Sequence, residues 1–290
     1  MRVRVQGIGV RGPGLESWAQ CAAILRGEAP YAPAPTQVPA ASMLPPAERR
    51  RTTTSVKLVL ACGLEAVQAA RADAARLLSV FASSGGDSQN CHEICEVLAG
   101  STREVSPTRF HNSVHNAPAG YWSIATGCMR ASNVLCAFDA SFAAGLLEAA
   151  VQCTQTTERV LLVAYDTPYP PPLRAKRPIA DAFAVALLLA PESSGGGALL
   201  ELRLRHAPVS RIRLAELDSQ CHSIPAAAVL PLLERLAHAG VGESIGAESA
   251  RAQAGTGAAD AQAGAGDCGT AGEVVLPYLA PLHLAVTVRV

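Results

Sequence analysis

The centre of the chain reads Ser132-Asn-Val-Leu-Cys-Ala-Phe-Asp-Ala-Ser-Phe-Ala-Ala-Gly-Leu-Leu-Glu-Ala-Ala150. This pattern predicts a short β-strand, a tight turn and an alanine-rich helix. Such a turn presents its central side chain at a helix N-terminus, where backbone N–H groups and the helix dipole favour an anion. Acyl-transfer enzymes place a nucleophilic serine or cysteine there, whereas this chain has Asp139.

Strands and helices alternate on both sides of this stretch. We predict further strands at residues 3–10, 77–81, 160–164, 183–189, 200–205 and 282–290. We predict helices at residues 17–25, 49–75, 89–98 and 225–239, and one that runs through residue 125. The alternation indicates an α/β layered domain. The domain is expected to span residues 1–241, followed by a flexible Ala/Gly-rich linker at 242–272 and a C-terminal strand segment at 273–290.

Composition narrows the possible functions. The chain has 290 residues, 49% of them hydrophobic and 17% charged, which suits a sizeable core. The 24 basic and 24 acidic residues balance, so neither nucleic acid nor an anionic membrane is an expected partner. The alternating, charged start of the chain is not a signal peptide, and no apolar run is long enough to span a membrane. We expect a cytoplasmic protein with free thiols, since its nine cysteines are an odd number.

Four motifs, taken in order, resemble β-ketoacyl synthases, the thiolase-fold condensing enzymes. They are Val5-Gln-Gly-Ile-Gly-Val10, the Arg49-Arg-Arg51 run before a long helix, Ser83-Ser-Gly-Gly86 after a strand, and Asn116-Ala-Pro-Ala-Gly120. In that family an Asn-x-x-x-Gly helix precedes the nucleophilic cysteine by nineteen residues, and the same count from Gly120 ends at Asp139. The resemblance covers residues 1 to about 190. It implies a thiolase-like layered fold, as a single N-terminal-type half with a mixed central sheet flanked by helices.

The chain departs from the family where the decarboxylating residues should be. Ketosynthases carry two further histidines, or a histidine and an asparagine, in a His-Gly-Thr-Gly-Thr loop and a Gly-His turn, and this chain has neither motif. The segment from Phe110 to Ala125 resembles the chain-length-factor-like subunits of aryl polyene biosynthesis. The resemblance therefore implies a noncatalytic subunit that forms a heterodimer with a full-length β-ketoacyl synthase. Such a subunit shapes the acyl tunnel in polyene, polyketide or fatty-acid-like biosynthesis, and an acyl carrier protein serves the complex.

Two residues are candidates for the nucleophile position in the turn between the predicted strand and helix of residues 132–150. We call this turn the elbow. For Asp139 we favour a noncatalytic role as an N-cap that satisfies helix N–H groups, for about 1 kcal/mol. Cys136 falls inside the predicted strand 134–137, where a cysteine beside leucine is usually a small buried hydrophobe. We therefore expect no catalytic residue. The strand itself suits edge-to-edge pairing across a two-fold axis.

By the same resemblance, the segment from Arg109 to His115 crosses the dimer axis and reaches the partner's tunnel. The interface or tunnel candidates are Arg109, Phe110, His111, Asn112, His115, Asn116, Cys136, Phe138 and Asp139. His111 and His115 would share one face of a helix, but we favour hydrogen-bonded interface histidines over metal ligands. Cys91 and Cys95 lack the second ligand pair of a structural zinc site. We expect no metal and, since Gly12-Pro13-Gly14 breaks the dinucleotide pattern, no cofactor.

Two alternatives remain open. The chain could be a free-standing acyl-thioester hydrolase or transferase that uses Asp139 with His111 or His115. It could also be an assembly scaffold without contact to a tunnel. The sequence does not decide whether the final strand completes this chain's own sheet or docks on a partner.

Overall fold

A computed structural model describes residues 1–241 and 272–289. The linker predicted at 242–272 therefore lies, apart from Gly272, outside the described residues. The strands are β1 (Arg2–Arg11), β2 (Leu78–Ala82), β3 (Ser132–Leu135), β4 (Val160–Asp166), β5 (Phe183–Pro191), β6 (Ala198–Arg205), β7 (Glu273–Leu279) and β8 (Leu282–Arg289). The helices are α1 (Trp18–Leu25), α2 (Pro46–Arg49), α3 (Thr54–Ala69), α4 (Ser88–Ala99), α5 (Pro107–Asn112), α6 (Ala117–Thr126), α7 (Ser141–Thr156), α8 (Pro171–Arg174), α9 (Ala215–Cys221) and α10 (Leu230–His238). Three 3₁₀ turns cover Ala74–Arg76, Phe138–Ala140 and Pro225–Val229.

The strands form one mixed sheet in the order β3-β2-β4-β5-β1-β6-β8-β7. β2 is parallel to both β3 and β4. The other neighbouring pairs are antiparallel. The prediction of an α/β layered domain with a mixed central sheet is confirmed, and β3 and β7 are its two edges.

Helices cover both faces of this sheet. Alternate residues of a strand point to opposite faces, so neighbours such as Leu161 and Leu162 in β4 belong to two different core clusters. One cluster packs against α1, α7 and α10, and the other against α3 and α6. Because both faces are covered, every residue of β4 is buried.

Two glycines let α3 approach β1 directly. A Cβ atom at Gly7 would lie 2.0 Å from the carbonyl oxygen of Ala66 in α3. A Cβ atom at Gly9 would lie 2.1 Å from the carbonyl oxygen of Cys62, one turn earlier in the same helix. Since strand residues two apart share a face, the Gly-x-Gly pattern creates the flat surface on which α3 rests.

The end of the chain belongs to the same sheet. β8 pairs with β6 through seven residue pairs, from Leu199–Arg289 to Arg205–His283, and β7 and β8 form an antiparallel hairpin. The predicted final strand is confirmed, and it completes the chain's own sheet.

The long helix predicted at residues 49–75 is shorter than expected. α3 begins at Thr54 and ends at Ala69. Before it, the Thr52 hydroxyl donates to the Arg49 carbonyl, the acceptor that a continuous helix would need. After it, Arg71 has a φ of 48°, which a right-handed helix excludes. Hydrophobic periodicity alone does not reveal these local breaks.

None of the helices in the described part of the chain combines the length and the apolar character needed to cross a bilayer.

Candidate functional site

The predicted strand, turn and helix at the elbow are confirmed, but the strained residue is Phe138. β3 ends at Leu135, the 3₁₀ turn follows, and α7 begins at Ser141. Phe138 has a φ of 51°, a left-handed conformation that costs a non-glycine residue about 1 kcal/mol. The tip of the elbow therefore lies one residue before Asp139.

Ser141 holds this turn in place. Its hydroxyl donates to the carbonyl oxygen of Phe138 at 2.7 Å and accepts the N–H of Ala137 at 3.0 Å. The side chain is buried, so both hydrogen bonds are protected from water. Ser141 was not among the predicted site residues, although a serine beside a helix start is a common capping signal.

The predicted capping role of Asp139 is wrong. Its carboxylate accepts a hydrogen bond from Nη2 of Arg177 at 2.5 Å, and its side chain is 61% exposed. The N-cap residue of α7 is Ala140, which makes no side-chain capping bond. Ser141 serves the turn instead, which leaves the carboxylate free to pair with a cation from a distant segment.

Arg177 closes over the elbow. Its guanidinium lies 3.7 Å from the ring centroid of Phe138 while it pairs with Asp139. A cation over an aromatic face is stabilised by the ring quadrupole. Where an acyl-transfer enzyme would present a nucleophile, this chain presents a phenyl ring and an ion pair. Arg177 was not among the predicted site residues, because it lies 38 residues from Asp139 in a segment without a motif.

Cys136 is not the buried strand residue that we predicted. β3 ends one residue before it, and the residue is exposed. Its thiol donates to the carbonyl oxygen of Ser84 at 3.1 Å. Within the described residues no imidazole hydrogen-bonds to this thiol, so the arrangement lacks the base that activates a nucleophilic cysteine.

The remaining candidates lie on α5 and in the turn that leads to α6. Arg109 forms an ion pair with Glu93 of α4. Its backbone carbonyl accepts the Asn90 side-chain amide at 2.8 Å. Phe110, the next residue, is 69% exposed. α4 therefore anchors α5 through Arg109 and leaves the phenyl ring free.

The two histidines have different surroundings. α5 ends at Asn112, so His111 and His115 do not share a helix face. The His111 ring meets Tyr121 edge-on at 6.1 Å. His115 lies beside Gly86, and its Nε2 is buried without a hydrogen-bond partner. In the described part of the chain neither imidazole hydrogen-bonds to the carboxylate of Asp139, which the alternative of an acyl-thioester hydrolase or transferase needs.

Asn112 and Asn116 differ in burial. Asn112 is buried and donates from Nδ2 to the carbonyl oxygen of Arg51 at 2.8 Å. Asn116 is exposed and precedes α6 without a side-chain capping bond. Asn112 thus fixes the end of α5 to the segment before α3, whereas Asn116 is available at the surface.

The buried carboxylate of Asp166 connects two segments that lie next to the elbow. Asp166, the last residue of β4, accepts hydrogen bonds from the N–H and hydroxyl of Ser84 at 2.8 and 2.6 Å. Its second oxygen accepts the N–H of Ala226 at 2.8 Å. Burial raises the pKa of Asp166, and these hydrogen bonds only partly offset that effect. The residue ties the loop after β2, which also binds Cys136, to the 3₁₀ turn at Pro225–Val229.

Exposed apolar side chains flank the edge strand β3. Met129 precedes the strand, Phe138 follows it, and Ile124 lies on α6, which contacts β3. We call these three residues the β3 face. Met129, just before β3, is 91% exposed. An apolar patch around an unpaired strand edge is typical of an interaction surface.

A cavity of about 530 Å³ opens beside the elbow. We call it the elbow cavity. Asp139 and Arg177 form part of its wall, together with residues from α9 and from the start of α10. In the described residues no group of three or more His, Cys, Asp or Glu side chains is arranged to hold a metal ion.

Comparison with known proteins gives the same architecture. Residues 17–240 match the family profile described as "Beta-ketoacyl synthase, N-terminal domain". Among solved structures, the ketosynthase ApeO in complex with its chain length factor ApeC, from Xenorhabdus doucetiae, matches at a TM-score of 0.67 and 22% identity, over 100% of both chains. The ishigamide ketosynthase/chain length factor matches at 0.65 and 12%, over 100% of this chain and 99% of the other.

A longer ketosynthase matches only in part. For the ketosynthase from module 1 of the bacillaene synthase of Bacillus amyloliquefaciens FZB42, the TM-score is 0.52 and the identity 15%, over 73% of this chain and 47% of the other. These likenesses confirm the predicted thiolase-like layered fold. A search of the curated proteins gives no match to this sequence.

Proposed function

The chain belongs to the β-ketoacyl synthase family, and from this premise we propose that it is a noncatalytic, chain-length-factor-like subunit. It pairs with a complete β-ketoacyl synthase and shapes the acyl tunnel of the complex. The partner supplies the cysteine and the decarboxylating residues, and an acyl carrier protein delivers the growing chain. The product belongs to aryl polyene, polyketide or fatty-acid-like biosynthesis.

One observation carries this proposal: the unpartnered edge strand β3 lies beside the exposed apolar side chains of the β3 face. The carbonyl oxygens of Ala131 and Leu135 accept the N–H groups of Ser79 in β2 and of Ser83, just after β2. Because neighbouring residues of a strand direct their backbone groups to opposite sides, Ser132 and Val134 direct theirs away from the sheet. These groups match a second strand across a two-fold axis, where they would gain the partners that a free edge lacks.

The chemistry of the elbow supports a noncatalytic role. Its tip is a phenyl ring, its carboxylate is paired with Arg177, and Cys136 is bonded to a backbone carbonyl. Among residues 1–241 and 272–289, no imidazole hydrogen-bonds to Asp139 or Cys136, so the base that an activated nucleophile requires is missing there. The strand-turn-helix geometry of the elbow is still needed, because it places α7 against the sheet. The residue at the tip is Phe138, so the tip carries no thiol.

Co-expression with a ketosynthase from a neighbouring gene tests the pairing. We expect the two chains to co-purify at one-to-one stoichiometry. Val134→Pro should abolish the complex, since it removes the outward N–H at the centre of β3 without removing a hydrogen bond to β2. Val134→Ala is the matched control: it loses the same side chain but keeps the N–H, and it should still co-purify.

Size-exclusion chromatography with mass determination is the measurement. If the wild-type chain elutes as a monomer and never travels with the ketosynthase, the proposal fails. If Val134→Pro and Val134→Ala co-purify equally well, the pairing does not use the β3 edge.

A change at Phe110 tests the shaping of the tunnel. This ring is 69% exposed on α5 and belongs to the segment that we propose faces the partner's tunnel. Phe110→Ala should shift the product distribution of the reconstituted complex toward longer chains, because it removes a large side chain from the wall. Leu98→Ala removes an exposed apolar side chain from α4 and should leave chain length unchanged. Mass spectrometry of the products decides, and equal distributions for wild type and Phe110→Ala would contradict the tunnel assignment.

A further inference from the structure

Two cysteines share one face of α4. Cys91 and Cys95 are four residues apart in this helix, so their side chains lie one turn apart on the same side. Both residues are exposed, and neither forms a disulfide. The Cys95 thiol lies within hydrogen-bonding distance of the Cys91 thiol; partial burial of its sulfur, and then this neighbour, raise the pKa of Cys91. α4 therefore presents two adjacent thiols at the surface.

The other cysteines that the structure describes have different surroundings. Five of them are buried, namely Cys21, Cys62, Cys128, Cys153 and Cys221. Cys136 is exposed, but its thiol donates to the carbonyl oxygen of Ser84. Oxidation of a thiol requires access to an oxidant, and an internal disulfide requires a second thiol within reach. The pair on α4 meets both conditions.

A disulfide between these two cysteines would change the shape of α4. Side chains four residues apart in a helix have their Cβ atoms about 5–6 Å apart, whereas a disulfide holds its two Cβ atoms about 3.8 Å apart. The bridged turn must therefore tighten by about 1–2 Å. α4 can yield in this way, because its buried residues, Ser88 and Asn90, are both polar, and its apolar side chains lie outside the buried core.

The turn that would tighten also holds α5. Asn90, one residue before the cysteine pair, donates from Nδ2 to the carbonyl oxygen of Arg109 at 2.8 Å. Glu93, between the two cysteines, forms an ion pair with the Arg109 side chain. The end of α5 is held separately, since Asn112 donates to the carbonyl oxygen of Arg51. A change in α4 would thus free the start of α5 while its end stays in place.

We infer that Cys91 and Cys95 are a redox-sensitive pair, whose oxidation to a disulfide distorts α4 and releases the start of α5. The oxidant is a low-molecular-weight disulfide. One cysteine thiolate attacks a sulfur of this disulfide and displaces the first thiol, and the second thiolate then attacks the mixed disulfide and displaces the other. The two cysteines lose two electrons and two protons, and the oxidant becomes two thiols.

This redox pair would add regulation to the proposed function, because α5 also carries Phe110. The inference itself does not rest on that function, since the two readouts that test it concern this chain alone. A disulfide in a surface helix is a local change that a packed neighbour reports.

Thiol alkylation and mass spectrometry test the disulfide on the purified full-length chain, in the complex in which it is isolated. In a buffer of oxidised glutathione, the peptide that contains both cysteines should lose two hydrogen atoms and take up no alkylating reagent, and dithiothreitol should reverse this. Cys91→Ser and Cys95→Ser should each end as a mixed disulfide with glutathione. Cys136→Ser, which removes a different exposed thiol, is the matched control and should oxidise within α4 like the wild type.

Hydrogen–deuterium exchange tests the release of α5. Exchange in peptides that cover residues 107–112 should become at least about tenfold faster when the disulfide forms, and dithiothreitol should restore the slower exchange. In Cys91→Ser and Cys95→Ser the same oxidant should leave exchange in α5 at the level of the reduced wild type. The inference is overturned if the wild type takes up one glutathione on each cysteine instead of closing the disulfide, or if the disulfide forms and exchange in α5 does not change.

Discussion

Gly9→Ala is expected to lower the free energy of unfolding by about 3 kcal/mol, a large fraction of the roughly 5–15 kcal/mol that stabilises an ordinary domain. The new Cβ atom would lie 2.1 Å from the carbonyl oxygen of Cys62. That oxygen belongs to the backbone of α3 and cannot rotate away, so either the helix or β1 must move. β1 pairs with both β5 and β6, and a shift there disturbs the middle of the sheet.

Gly195→Ala is the matched control. A Cβ atom at Gly195 meets nothing within 4 Å, so its stability should stay within about 0.5 kcal/mol of wild type. Urea unfolding followed by circular dichroism measures both variants. A loss below about 1 kcal/mol for Gly9→Ala would mean that α3 can move off the sheet without cost, contrary to the packing described above.

Asp166→Ala is expected to cost about 3 kcal/mol for a different reason. The carboxylate is the acceptor for two backbone N–H groups, those of Ser84 and Ala226. Leaving a buried donor without a partner costs about 1–3 kcal/mol for each group. The substitution also disconnects the loop that bonds Cys136 from the 3₁₀ turn beside the elbow cavity, so elbow mobility should rise together with the loss of stability.

Asp73→Ala provides the comparison at the surface. Asp73 is exposed, and it accepts one local N–H, from Ala75 at 3.0 Å. Its loss should cost about 1 kcal/mol, as for an ordinary N-cap. Asp166→Asn keeps one acceptor oxygen but turns an amide group toward a backbone donor, and it should fall between the two alanine variants. Equal losses for Asp166→Ala and Asp73→Ala would contradict the structural role of Asp166.

The pH dependence of this difference has a definite sign. Burial raises the pKa of Asp166 above the ordinary value of 3.8. The stability linked to its protonation is therefore fully present below pH 3.8 and is lost as the pH rises through the folded-state pKa. The stability gap between wild type and Asp166→Ala should narrow as the pH is raised from about 4 toward 7. A gap that widens over this range would show that hydrogen bonding, not burial, dominates the pKa of Asp166.

Local pattern was sufficient for most of the elements. The strand, turn and helix of residues 132–150 were predicted, because the short apolar stretch around Val134 and Leu135 is followed within a few residues by an alanine-rich run. The helix predicted at residues 17–25 is α1, where Ser17 is the N-cap and its side chain accepts the N–H of Gln20. The ends of α3 were missed, since they depend on one hydroxyl contact at Thr52 and one unusual φ at Arg71.

The sequence predicted where the elbow lies in the chain, but not which side chains contact each other there. Counting nineteen residues from Gly120 led to the elbow and missed its strained tip by one position, because spacing carries no information on backbone φ. Asp139 was assigned to a cap since its partner, Arg177, lies in a different segment. Asp166 was not singled out, because a single aspartate at the end of an apolar strand has no distinctive local signal.

The sequence determined the order of the elements, the fold family and the absence of the two histidine motifs, since each is a matter of local pattern and spacing along the chain. The tertiary structure decided which groups meet. It placed Arg177 over Phe138, tied Asp166 to two loops, returned β8 to the chain's own sheet and left β3 as an open edge. Such contacts join residues tens of positions apart, and only the folded backbone fixes the distances between them.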